Sequence, residues 1–182
     1  MAWTEHDVVR SELRWALAVI GFVAILFALT LVAALALHRN PPSNAERIDP
    51  KTLHLTGEFT EPNLGTRVEA NGQVTTRIVA TQFAFVPNCV VVPEGRDVTL
   101  RLASPDVIHG ILVAGTNVNT MVVPGYVATL NTRFDAPADH TMPCHEFCGF
   151  GHQTMWAHVK VIDKAAFFEQ ARQSRRLSCV SR

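Results

Sequence analysis

The sequence carries no excess of charge of either sign. It has 16 Lys and Arg against 16 Asp and Glu in 182 residues. Because there is no basic field, the charge excludes a protein built to bind a nucleic-acid backbone. Because there is no large acidic field either, the long-range attraction of a basic partner is weak.

Internal repeats, low-complexity segments and helical periodicity between Val74 and Ile162 are also absent. Their absence excludes a repeat architecture and a sheet built from alternating strands and helices. Val98, Leu100 and Leu102 instead keep the two-residue period of a half-buried strand. Short runs of this kind predict six or seven strands, over residues 74–85, 90–92, 98–103, 107–113, 127–134 and 155–162. The predicted fold class is all-β, a Greek-key β-sandwich or barrel.

One long hydrophobic run is present, from Trp15 to Leu37, and it contains neither charge nor proline. As a helix it would cover roughly 35 Å, enough to cross a bilayer with some tilt. A cleaved signal peptide is the alternative, but the run exceeds the usual length of a signal core. Basic residues near its ends favour a cytoplasmic N-terminus only slightly.

These patterns predict four segments. Residues 1–39 form a polar head and a transmembrane anchor helix, and residues 40–73, which open with the Asn40–Asn44 linker, form an irregular lead-in. Residues 74–162 form the β domain. Residues 163–182 form a short helical tail for which Asp163 is the predicted N-cap.

Cysteine is scarce, and two of the four cysteines lie among other metal-binding residue types. The stretch Cys144–Met155 reads CHEFCGFGHQTM, with the spacing Cys-x3-Cys-x3-His-x2-Met. Thiolate and thioether are soft ligands that favour copper. Glycines within the loop allow the sharp turn that brings both ends together. His109, in an apolar run upstream, is the predicted nitrogen donor that completes such a site.

Three other interpretations of the loop are weaker. A Cys144–Cys148 disulfide leaves His152 and Met155 unexplained. Structural zinc does not require Met155. A mononuclear blue-copper site leaves one thiolate idle beside the metal. Two cysteines therefore suggest two copper ions that share both sulfurs.

The loop resembles the Cys-x-Glu-x-Cys-x3-His-x2-Met signature of cytochrome c oxidase subunit II. The stretches SPDVIHG and GTNVN resemble the segment that carries the upstream histidine in this family. The single N-terminal span resembles the B-type heme-copper oxidases. The resemblance covers nearly the whole chain, from the span to Ile162.

This resemblance implies a cupredoxin domain on the outer, periplasmic or extracellular, side of a prokaryotic plasma membrane, held by one span in membrane lipid. It implies a binuclear copper centre, CuA, in which Cys144 and Cys148 bridge both ions. His109 and Met155 would complete one ion, and His152 and the backbone carbonyl of Glu146 the other. Electrons from cytochrome c or a similar donor would pass to heme in subunit I, where oxygen is reduced to water and protons are pumped.

Three other functions fit parts of the pattern. A membrane-anchored carrier would shuttle electrons without a stable oxidase. A thioredoxin-like copper-insertion protein also uses Cys-x3-Cys, but it needs a helix where glycines and strands follow here. The copper domain of nitrous oxide reductase shares the loop within a much longer chain.

Side chains outside the loop carry weaker expectations. Cys89 and Cys179 are expected to be ordinary thiols, with a disulfide between them as the alternative. Phe83, Phe85 and Trp156 are expected in the core, with an exposed docking patch as the alternative for Phe83 and Phe85. His140, His145 and His158 are not predicted as ligands.

Overall fold

The computed structural model describes residues 5–35 and 46–179. The N-terminal helix and the domain that follows it are separate compact units. The predicted linker Asn40–Asn44 and the last two residues of the predicted span, Ala36 and Leu37, lie outside the described residues.

Helix α1 spans Glu5–Leu35, and none of its residues is buried. In the part of the chain that the structure describes, it is the one helix long and apolar enough to cross a membrane, judged by length and composition. A 31-residue helix is about 46 Å long, more than the roughly 30 Å of a hydrocarbon core. The unpartnered apolar side chains fit a membrane-spanning helix.

The domain that begins after residue 45 is an all-β, cupredoxin-like sandwich followed by one short helix, which confirms the predicted fold class. Its strands are β1 (Gly65–Val68), β2 (Val74–Thr81), β3 (Ala84–Val86), β4 (Cys89–Pro93), β5 (Asp97–Ala103), β6 (His109–Leu112), β7 (Asn119–Val122), β8 (Ala128–Arg133), β9 (Ala138–Pro143) and β10 (Trp156–Ile162). Helix α2 covers Lys164–Gln173.

The strands form two main sheets and one hairpin. The first sheet has the order β1-β2-β5-β8, with β3 also paired to β2, and the second has the order β4-β10-β9. The hairpin β6-β7 completes the domain. Strands β2 and β5 are parallel, as are β4 and β10, and the other pairs are antiparallel. A core of mainly aliphatic side chains, including Ile78, Val92, Leu100 and Val159, fills the space between the sheets.

The sheet topology brings several chain turns to the same end of the sandwich. Strands β2 and β5 run in parallel with Val79 opposite Ala103, so the turn after β2 and the segment leading to β6 leave the sheet together. An isolated bridge between Ile111 and Cys144 ties β6 to the loop that follows β9. The histidine segment and the cysteine loop are therefore held side by side.

The C-terminal tail closes an open side of the sandwich. The Asp163 carboxylate caps α2 by accepting from the N–H of Ala166 at 2.9 Å, as predicted, and Phe167 is fully buried. Beyond the helix, Leu177 bridges to Thr66 of β1, and Ser178 bridges to Val90 of β4. Both are edge strands of their sheets, and unpaired edges invite non-native pairing. The tail thus covers two edges at once.

A disulfide between Cys89 and Cys179 fastens this tail to β4. The expectation that these residues are ordinary thiols was wrong. The cause is the tail's course along β4, where the N–H of Cys179 donates to the carbonyl of Cys89 at 3.1 Å. No local pattern around either cysteine reveals that approach.

A cluster of opposite charges stabilises the outer face of the first sheet. Arg77 of β2 and Arg101 of β5 are directly opposite each other in the register, an arrangement of like charges that is unfavourable by itself. The Glu58 carboxylate bridges them, accepting from the Nε atoms of Arg77 at 3.0 Å and Arg101 at 2.9 Å. Partial burial acts to raise the pKa of Glu58, but the hydrogen bonds and positive charges of Arg101 and Arg77 hold it below its ordinary value.

We expect Glu58→Gln to lower the free energy of unfolding by about 1–3 kcal/mol at neutral pH, because the two arginines lose the charge between them. A lowered pKa gives stability that is present above the ordinary value of 4.5 and lost as the pH falls through the folded-state pKa. The difference between wild type and variant should therefore shrink in acid.

Denaturant unfolding at pH 7 and pH 3 checks this, with Glu169→Gln as the control. Glu169 pairs with Arg172 on the exposed surface of α2, and such pairs contribute at most about 1 kcal/mol. Equal losses in the two variants, or a difference that does not depend on pH, would count against the role of Glu58.

Candidate metal centre

Backbone hydrogen bonds close the cysteine loop and attach it to β6. The N–H of Cys144 donates to the carbonyl of Met155 at 3.0 Å, so the two ends of the loop meet. The N–H of His145 donates to the carbonyl of Gly110 at 3.2 Å, beside His109 at the start of β6. Within the loop, residues His152–Thr154 form one turn of 3-10 helix that brings His152 back toward the sulfurs.

The two sulfurs lie in the middle of the predicted donors. Cys144 Sγ and Cys148 Sγ are 3.8 Å apart and are not disulfide-bonded. Cys144 Sγ lies 3.9 Å from His109 Nδ1 and 3.2 Å from the carbonyl oxygen of Glu146. Cys148 Sγ lies 3.7 Å from His152 Nδ1 and 3.7 Å from Met155 Sδ. The structure therefore brings together all six predicted site residues.

Burial isolates most of this cluster from water. His109 is fully buried, and Cys144, Cys148 and Met155 are nearly so. The donor atoms of His109, Cys144 and Cys148 all lie within 4.8 Å of one another, as in a site that holds a metal ion. Burial, together with the neighbouring Cys144, raises the pKa of the Cys148 thiol to about 11. A cation is the partner that would favour the thiolate form.

Asp106 fixes the orientation of the His109 ring. Its Oδ1 lies 2.9 Å from His109 Nε2, which leaves Nδ1 directed to the sulfurs. Partial burial acts to raise the pKa of Asp106, but hydrogen bonds from His109, the N–H groups of Gln82 and Val107, and the hydroxyl of Thr81 hold it far below its ordinary value. A carboxylate behind a histidine is the usual second partner of a metal-binding imidazole.

Three other histidines near the loop in sequence have partners of their own. His145 Nε2 is 2.7 Å from Asn119 Oδ1, and His158 Nδ1 is 2.9 Å from Asp139 Oδ1. His140 packs at a tilt against Phe134.

An aromatic rim, defined as Phe83, Phe147, Phe150 and Trp156, lies exposed around the loop. Phe150 is 98% exposed, Phe147 75% and Trp156 53%. The core prediction was correct for Phe85, which is buried, but wrong for Trp156 and for Phe83, which is 39% exposed. Trp156 begins β10 on its outward face, and Phe83 lies in the turn after β2, where its ring covers the loop backbone at Gly149 and Gly151.

Sequence reasoning missed two residues that support the site. Asp106 stands three positions before His109 in the stretch SPDVIHG, and a carboxylate so close to a predicted histidine ligand is a usable signal. Gln82, whose Nε2 donates to the carbonyl of Cys148 at 2.7 Å, gives no local signal, because the two residues are 66 positions apart.

Comparison with known proteins agrees with this geometry. Residues 57–162 match the family described as cytochrome c oxidase subunit II, periplasmic domain. The chain is 34% identical over 163 residues to a cytochrome c oxidase subunit 2 of Thermus thermophilus, covering 86% of this chain and 97% of that one. A second subunit 2 from the same species is 36% identical over 121 residues, covering 66% and 90%. A chain from a cryo-EM structure of a heme-copper terminal oxidase dimer superposes with a TM-score of 0.53 at 25% identity, covering 84% of this chain and 99% of that one.

An all-β sandwich that gathers sulfur and imidazole donors at one end defines a cupredoxin-like metal domain. More narrowly, the chain belongs to the cytochrome c oxidase subunit II family. Members of this copper-binding family are subunits of heme-copper terminal oxidases. A role in the entry of electrons is consistent with membership of this family. The apolar helix α1 together with a periplasmic domain fits a single-pass membrane protein.

Proposed function

We propose that His109, Cys144, Glu146, Cys148, His152 and Met155 hold a binuclear copper centre, CuA, through which this chain receives electrons for its oxidase. The observation that carries the proposal is the arrangement around the sulfurs, each of which has two further donors beside it. The bound copper pair would supply a one-electron redox couple.

The donor set fits copper better than zinc. Two thiolates and a thioether are soft, and the thioether of Met155 lies 3.7 Å from Cys148 Sγ, although zinc has no need of it. The donors also fit two ions better than one. His109 and Met155 lie beside different sulfurs, as do His152 and the Glu146 carbonyl. Each pair therefore needs both cysteines to complete a site.

The chain's own residues hold this centre rigid and dry. The site is held between two strands: His109 begins β6, and Met155 directly precedes β10. The bridge from Ile111 to Cys144 joins β6 to the cysteine loop. Asp106 orients His109, and burial excludes water from the sulfurs. A site held in nearly one geometry reorganises little when its charge changes, as a one-electron relay requires.

Membership of the family supports a proposal for the partners. We propose that electrons arrive from cytochrome c or a similar one-electron donor at the aromatic rim and pass to heme in subunit I, where oxygen is reduced to water and protons are pumped. Residues 1–39 would anchor the chain in the lipid of a prokaryotic plasma membrane, with the copper domain, residues 74–162, on the outer side. The nearly complete exposure of Phe150 supports docking of an apolar partner surface.

Metal analysis of the full chain in detergent tests the proposal. We expect two copper ions per chain, bound in preference to zinc. One copper per chain, or a preference for zinc, would contradict the binuclear assignment.

We expect Met155→Leu to keep both coppers but to raise the reduction potential by tens of millivolts. A weak thioether donor is replaced by hydrocarbon, which disfavours the more positive oxidised state. Redox titration of the copper-loaded chain measures the shift, and Met142→Leu is the matched control, since Met142 is equally buried but lies in β9. Complete loss of copper from Met155→Leu alone would show that Met155 is more than a weak ligand.

A further inference from the structure

Gln82 connects the two chain segments that carry the donors of the proposed centre. It lies in the turn between β2 and β3, next to Phe83 of the aromatic rim. Its backbone contacts the histidine segment, and its side chain contacts the cysteine loop. The resemblance to the family rests on those two segments and gives no role to residue 82.

The backbone of Gln82 supports the histidine side. Its N–H donates to Asp106 Oδ2 at 2.7 Å, and the hydroxyl of Thr81 donates to the same oxygen at 2.8 Å. The other oxygen of Asp106 lies 2.9 Å from His109 Nε2. The turn after β2 therefore fixes the carboxylate that orients His109, whatever side chain residue 82 carries.

The side chain of Gln82 supports the cysteine side. Its Nε2 donates to the carbonyl of Cys148 at 2.7 Å, a distance typical of a good hydrogen bond. The contact depends on the next residue being glycine. Gly149 has a φ of +126°, and a Cβ there would lie 3.1 Å from Gln82 Nε2 and 2.9 Å from Cε1 of Phe83.

A displacement of Cys148 would disturb the site directly. Its sulfur lies within 3.8 Å of Cys144 Sγ, His152 Nδ1 and Met155 Sδ. Fixing the Cys148 carbonyl fixes the peptide plane between Cys148 and Gly149, and with it the position from which the sulfur projects. The neighbouring Gly149 is held by the N–H of His152, which donates to its carbonyl at 3.1 Å, and by the ring of Phe83, whereas the Gln82 amide acts on the carbonyl of Cys148 itself.

We propose that Gln82 is a positioning residue that holds Cys148 in the geometry of the metal centre through the hydrogen bond from its side-chain amide. The inference rests on the proposed copper site, which it extends to a residue outside the donor set. The feature required at position 82 is a donor that reaches the Cys148 carbonyl. Methionine has nearly the same length and no donor, and glutamate places an acceptor against an acceptor.

The test compares the full-length chain in detergent, loaded with copper, as wild type, Gln82→Met, Gln82→Glu and Gln82→Lys. The readouts are copper loss to an excess of chelator and the copper hyperfine splitting in the EPR spectrum. We expect Gln82→Met and Gln82→Glu to lose copper about 10-fold faster or more, with altered splitting, as is usual when a supporting partner of a metal site is removed. We expect Gln82→Lys, which keeps an N–H donor, to recover part of the copper lifetime.

Gln170→Met is the matched control, because Gln170 is exposed on α2, and the same substitution there should change neither readout. Should Gln82→Met fail to fold, the comparison of Gln82→Glu with Gln82→Lys still tests the donor, because the charges alone would favour copper retention by the glutamate variant. Copper loss from Gln82→Met or Gln82→Glu at the wild-type rate would overturn the role of Gln82, as would a lysine variant no better than Gln82→Glu. A wild-type chain without two coppers would instead overturn the proposed function.

Discussion

Cys148→Ser should abolish the copper pair and stop electron transfer through this chain. The Cys148 sulfur has three donor neighbours in the described cluster, since Cys144 Sγ, His152 Nδ1 and Met155 Sδ all lie within 3.8 Å of it. A serine hydroxyl is a harder ligand than a thiolate and does not ionise near neutral pH, so it cannot replace a shared thiolate. Copper content and the EPR spectrum of the full chain measure the loss at the site, and oxygen uptake by the assembled oxidase measures the loss of electron flow.

The matched control for this substitution is the double variant Cys89→Ser with Cys179→Ser. It removes two sulfurs from the same chain but leaves the proposed centre untouched, because these cysteines form the disulfide between β4 and the tail. We expect the double variant to keep two coppers. A Cys148→Ser chain that still binds two coppers with an unchanged spectrum would contradict a bridging role for this sulfur.

The same double variant should have the largest effect on stability. The disulfide joins residues 90 positions apart, and removal of a bridge over a loop of this size costs about 2–5 kcal/mol. The loss also frees Leu177 and Ser178 to leave the edges of β1 and β4. We expect a lower midpoint of thermal unfolding of the β domain and faster proteolysis within residues 174–179.

Leu177→Ala provides the comparison that separates the disulfide from the packing of the tail. Leu177 is buried and packs on the core, so this variant should lose stability while the disulfide remains intact. If the double cysteine variant unfolds at the wild-type temperature and resists protease as well as wild type, then the disulfide has no role in closing the sandwich.

Strand β10 could be predicted because burial alternates along it. In β10 the pattern of buried and accessible residues changes with nearly every position, and its prediction from the sequence was correct to within one residue. Strand β9 lies outside the predicted strand ranges, because its first two residues, Ala138 and Asp139, are both exposed and Met142 is its one buried residue. Strand β1 is buried mainly because the distant tail covers it, through the bridge from Thr66 to Leu177, and a local pattern does not contain that information.

The site, like the strands, has residues that the sequence predicts and residues that it does not. The six proposed donors lie close together in the sequence apart from His109. The chemistry of the thiolates, imidazoles and thioether indicates a soft metal, whereas the carbonyl of Glu146 is expected only from the resemblance to the family. The residues that orient the donors are recognised by contact rather than by type. Asp106 carries a weak signal, because it stands three positions before His109. The contacts of Gln82 and the exposed position of Phe83 depend instead on the turn after β2, which meets the loop at Gly149.

The central claim is that two sulfurs are shared by two copper ions. The EPR spectrum of the oxidised, copper-loaded full chain tests it most directly, since an unpaired electron shared by both ions couples to two copper nuclei. We predict hyperfine splitting from two equivalent nuclei. Splitting from a single copper nucleus, at full copper occupancy, would contradict the claim.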